Sequence, residues 1–128
     1  MSLLDPAERS ARGVAIGAEV TGAPLPAPTT PYAERWRYFV FAEVWWRPGL
    51  DQRARRWITL VGVCESCADV PIKSHIHAAM ASGNCRPDEL QEFVLQYAVH
   101  AGWPRASEIQ GAVFAMSKKI AAGLAWNE

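Results

Sequence analysis

Apolar residues recur along this chain at helical intervals, and no stretch of useful length alternates with period two. The spacing predicts about six helices. The first opens at Asp5-Pro6-Ala7-Glu8, where Asp caps, Pro takes the first helical position and Glu follows three after the cap. It fades by Thr21-Gly22. Four prolines between Gly22 and Pro31 then make a loop or extended arm. Thr30-Pro31 starts a second helix running to about Trp46. On it Trp36, Phe39, Val40 and Glu43 share one face, while Tyr38, Phe41 and Trp45 form another apolar stripe, so the helix should be buried on two sides. Asp51 caps a third helix, Gln52 to Cys64.

The fourth helix, Val70 to Gly83, places Ile72, His75, Ile76, Ala79 and Met80 on one face, with Pro71 in its first turn and Gly83 as a left-handed stop. His75 therefore points where the apolar residues point, and His77 toward the wetter side. A fifth helix follows from Pro87, with Leu90, Phe93, Val94, Tyr97 and Ala101 as its stripe and His100 on the flank. Gly102 ends it. Pro104 begins the last helix, with Ile109, Val113, Met116, Ile120 and Leu124 at helical spacing. The fold class is all-α, a helical bundle. The 128 residues suffice for one domain, 1–128, with 1–31 as an N-terminal helix and proline-rich arm. Such arms often embrace a neighbouring subunit.

Charge narrows the function. Thirteen Lys and Arg balance thirteen Asp and Glu, which argues against a nucleic-acid or anionic-membrane surface and favours self-association. With no membrane-length apolar run and no signal-peptide pattern at the start, the expected compartment is the cytoplasm. Three cysteines there are expected to be reduced. Exposed apolar residues on nearly every helix predict an obligate oligomer. Three arginines, Arg53, Arg55 and Arg56, sit at the start of the third helix, the unfavourable end for its dipole, which suggests anionic partners. Arg53 shares a face with Trp57 and should be held. For Arg56 a solvated first turn is the preferred reading. A histidine on a buried face must find a hydrogen-bond partner or shift its pKa, and Glu43, four residues before Arg47, is placed for an ion pair.

The run Phe41-Ala42-Glu43-Val44-Trp45-Trp46-Arg47-Pro48-Gly49-Leu50-Asp51-Gln52-Arg53-Ala54-Arg55 resembles the signature of the carboxymuconolactone decarboxylase family, in the alkylhydroperoxidase-like superfamily. The resemblance continues in His75 with its small-residue helix ending at Gly83, in Asp88-Glu89-Leu90-Gln91-Glu92, and in Ala101-Gly102-Trp103-Pro104. It covers roughly Tyr32 to Val113. It implies an alkylhydroperoxidase-like all-α fold assembling as homotrimers or homohexamers, and a cofactor-independent carboxy-lyase acting on a small γ-lactone acid. The family's functional histidine falls on His75, its glutamate on Glu43, and its arginines on Arg47 and Arg55. His75 is then the proton donor and Glu43 the group that orients it. Arg47 or Arg55 would hold the substrate, with Trp45, Trp57 and His100 lining the pocket. The chain departs from the family at His100, where Tyr is usual, and at Trp57 and Trp103, where small or aliphatic residues are usual. It departs again at Cys64-Glu65-Ser66-Cys67.

Those cysteines carry the rival reading. Alkylhydroperoxidase-type proteins of the same superfamily use Cys-x-x-Cys-x-x-x-His, and Cys64 and Cys67 have the inner spacing. His75, however, lies eight residues after Cys67 rather than four, beyond Pro71. A zinc site would need further ligands from His75, His77 or Cys85, and no metal is expected. A third possibility is a ligand-binding relative without chemistry.

Overall fold

The computed structural model describes residues 4–128, and among these it contains helices and no strand. Helix α1 spans Pro6–Thr21, with the Asp5 carboxylate accepting from the Ala7 N–H at 2.9 Å. It stops at Gly22, whose φ of +80° is left-handed. A Cβ there would lie 2.5 Å from the Ala81 backbone, so glycine is needed both for the turn and for the close approach of the two helix ends.

Helix α2 (Pro31–Phe39) does not run on as α-helix to Trp46. From Val40 to Trp45 it widens into a π segment. The π ring takes an extra residue per turn and rotates everything beyond it. The stripe of Phe41 and Trp45, joined by Ala42, is therefore buried, whereas Trp36 and Phe39 of the other predicted face are exposed. The expected two-sided burial fails at this point.

Helices α3 (Gln52–Glu65), α4 (Asp69–Ala81), α5 (Pro87–Ala101) and α6 (Trp103–Ala121) lie where the pattern places them. The Asp51 carboxylate caps α3 by accepting from the Ala54 N–H at 2.7 Å. Gly102, at φ +96°, ends α5. Leu124 falls beyond α6 and is exposed rather than part of its stripe.

Two cores result. The larger gathers Leu60, Ile76, Leu90, Ile109, Val113 and Met116 from α3 to α6. The smaller gathers Val20, Phe41 and Trp45 from α1 and the π segment. Helix α1 packs on the π segment, on α2 and on α4 of its own chain. No helix among the described residues is long and apolar enough to cross a membrane.

Candidate functional site

The side chain that bridges the two cores is Arg56. Its position, four and eight residues before Leu60 and Cys64, puts it on the buried stripe of α3. Far from being solvated, it is 0% exposed, which corrects the sequence expectation. Its guanidinium donates to the Val20 carbonyl at the end of α1 and, through Nε, to Asn84 Oδ1 at 3.1 Å. It lies 4.8 Å from the centre of the Trp45 ring, a cation–π contact. Nη1 has no acceptor. Burial pushes the Arg56 pKa down to about 10. The one ionisable group pulling the other way is the Cys85 thiol, itself held protonated by burial. Among the described residues no carboxylate answers this cation.

His75, on α4, is half-buried. Its Nδ1 is enclosed and has no hydrogen-bond partner. Burial first, and the Arg56 charge second, lower its pKa to about 4, so the imidazole is neutral at pH 7. Two polar groups without a hydrogen-bond partner among the described residues, one of them on a buried cation, therefore lie on the packed helices α3 and α4.

Glu43 is in ion-pair contact with Arg9 of α1, at 2.9 Å. Arg55 donates to the Arg47 carbonyl at 3.0 Å, across the turn before α3. Arg53 is held as expected, in an ion pair with Glu89 and 5.4 Å from the Trp57 ring centre. Trp45 does join the site, as the face under Arg56.

Trp57 and His100 meet in a different place, an open groove of about 830 Å³ between α3 and α5. Trp57, Phe93 and Tyr97 form a stacked ladder with ring centres 5.8 Å apart. The Tyr97 hydroxyl donates to Glu65 at 2.6 Å, and burial together with that bond raises its pKa to about 12. Glu65, Glu89 and Glu92 line the same groove, so it is a poor host for an anionic ligand.

The cysteines differ in access. Cys64 is on the last turn of α3, fully buried, and burial raises its pKa to about 11. Cys67 sits in the following turn at φ +58° and is exposed. Cys85 is buried. Iodoacetamide should therefore label Cys67 in the native protein, and Cys64 and Cys85 only after unfolding; mass spectrometry of the labelled peptides checks this. Among the described residues no group of His, Cys, Asp or Glu could hold a metal ion.

Arg56 also sets a stability test. Arg56→Ala orphans the Val20 carbonyl and opens a cavity beside Trp45, an expected loss of about 2 kcal/mol. Arg56→Met orphans the same carbonyl but keeps most of the volume and deletes an unanswered charge, so its cost should be about 1 kcal/mol smaller than that of Arg56→Ala. Urea denaturation of the two variants separates packing from charge.

The all-α bundle thus sets a half-buried histidine beside a buried arginine that has no carboxylate partner among the described residues. The profile of the carboxymuconolactone decarboxylase family matches residues 30–115, and the chain belongs to that family. It is 30% identical over 69 residues to the 4-carboxymuconolactone decarboxylase of Acinetobacter baylyi (strain ATCC 33305 / BD413 / ADP1). That match covers 54% of this chain and 51% of the relative, so the chain spans about half the length of the curated relative it matches. No solved structure matches the chain.

Proposed function

We propose that the protein is a cofactor-independent carboxy-lyase for a small unsaturated γ-lactone acid, with His75 as its proton-transfer residue. The observation that carries this reading is the neutral, partnerless imidazole of His75 beside the buried charge of Arg56, in a chain of this family.

The chemistry needs no added electron sink. The bond from ring carbon to carboxylate breaks and carbon dioxide leaves. The electron pair passes through the conjugated double bond into the lactone carbonyl as a dienolate. Protonation at carbon then restores the lactone, with one proton consumed overall. His75 is neutral at pH 7, with burial first and the Arg56 charge second holding its pKa at about 4. A bound carboxylate offsets the Arg56 charge, the smaller of the two causes, and raises that pKa part of the way toward 6.5, so in this reading the imidazole takes up a proton only transiently during turnover. It then holds the proton that the dienolate carbon needs. Arg55 and Arg47, at the turn before α3, are kept as substrate-side cations in this reading, and Glu43 as part of the wall that fixes the π segment through Arg9. Exposed Ile58, Val99 and Trp103 support self-association, and in this reading the assembly is a homotrimer or homohexamer.

The test is release of carbon dioxide by the purified protein from 4-carboxymuconolactone and related unsaturated γ-lactone acids, without added metal or cofactor. Release above the uncatalysed rate is expected. No release across such a panel, with ligands still binding, would leave a non-catalytic binding protein.

A further inference from the structure

Arg56 is the feature that the bundle alone does not explain. A guanidinium with no exposure, no carboxylate partner and a free Nη1 is costly to keep. Its Nε and Nη2 donate to Asn84 and to the Val20 carbonyl, so the guanidinium is held by the turn between α4 and α5 and by α1. Trp45 closes one of its faces. On the adjacent helix His75 turns an equally partnerless Nδ1 inward. Nη1 can only donate, and Nδ1 donates in one of its two tautomers, so both can serve the same acceptor.

We infer that Arg56 is the residue that recognises the substrate carboxylate, its free Nη1 and the Nδ1 of His75 together forming the cradle for that group. This rests on the reading of His75 as the reacting centre, and it assigns the recognition to Arg56 rather than to Arg47 or Arg55. The ligand class is a planar carboxylate on a small ring, since the guanidinium fork suits a carboxylate and the Trp45 ring supplies a flat apolar wall. Desolvation makes the contact selective for charge. A neutral analogue of the same shape leaves the cation unanswered.

The experiment uses the intact protein and the saturated lactone acid 5-oxotetrahydrofuran-2-carboxylate, which has no conjugated path from its carboxylate carbon to the lactone carbonyl. Binding is followed by calorimetry and by the ring nitrogen shifts of His75. The acid should bind and move the His75 signals, and its carboxamide should not. Acetate and inorganic phosphate should bind more weakly than the lactone acid. Arg56→Met should weaken the acid by ~30-fold while melting cooperatively, and Arg56→Lys should raise the KM for turnover by about tenfold with kcat changed less than about threefold. The inference is overturned if the carboxamide binds as well as the acid, if acetate or phosphate matches it, or if folded Arg56→Met keeps wild-type affinity. Undiminished turnover in Arg56→Met overturns it and leaves the decarboxylase reading standing. Arg56-dependent binding of the acid without carbon dioxide release from any unsaturated lactone acid does the reverse.

Discussion

His75→Asn is expected to lower carbon dioxide release from an unsaturated γ-lactone acid by about 100- to 10,000-fold, the range lost when a positioned acid is removed. The fold should survive the change. No side-chain hydrogen bond ties His75 to another described residue, so its replacement orphans none of them. Ile72, Ile76, Ala79 and Met80 keep α4 seated on the larger core without it. Asn also retains a polar tip where Nδ1 stood. The measurement is a stopped assay of carbon dioxide release, paired with a melting curve. A variant that melts normally yet keeps a third or more of wild-type kcat would remove His75 from the chemistry. KM should move less than kcat, because recognition of the carboxylate resides mainly on Arg56.

The helices are readable because their ends are marked by local chemistry. Asp5, Thr30 and Asp51 each accept from a backbone N–H of the first turn, at 2.9, 3.1 and 2.7 Å. Gly22, Gly83 and Gly102 each take a positive φ just past a helix. Residue types at caps and stops report on a few neighbouring bonds, and those bonds form whatever the tertiary fold does. The π segment is different. Nothing in Val40–Trp45 forbids an α-helix, and the widening appears only once Phe41 and Trp45 must both reach the small core under α1. That requirement is tertiary, and periodic reading at 3.6 residues per turn misses the widening.

The site divides along the same line. His75 is legible because a histidine amid Ile72, Ile76 and Ala79 interrupts an apolar stripe. Arg56 interrupts a stripe in the same way, ahead of Leu60 and Cys64, and that spacing was the available signal. A charge in the first turn of a helix reads as solvated because most such turns are at the surface. Here the end of α1 folds back over it, and a contact between residues 36 apart in sequence leaves no local trace. Trp57 and His100 present a different case. Both are pocket residues, but of a groove walled by Glu65, Glu89 and Glu92, whose charge is set by three residues that no short motif joins.

Acid should destabilise the protein by about 3 kcal/mol between pH 6.5 and pH 4, through His75 alone. An unfolded histidine titrates near 6.5, while burial and the Arg56 charge hold the folded one at about 4. Between those values the unfolded chain binds a proton that the folded chain refuses, so stability is full above 6.5 and falls as the pH drops toward 4. Below 4 both states are protonated and this contribution is spent. Glu89, whose hydrogen bond from Arg53 lowers its pKa to about 2, acts in a later window, with stability lost as the pH falls from about 4.5 toward 2. The two windows are separable by urea titrations at half-unit steps. His75→Gln should flatten the upper window and leave the lower one. Arg56→Met, by removing the second cause of the shift, should return the His75 pKa part of the way toward 6.5 and shrink the same window. Equal slopes in wild type and His75→Gln between pH 6.5 and 4 would mean that His75 is solvated and titrates normally, and the cradle with Arg56 would go with it.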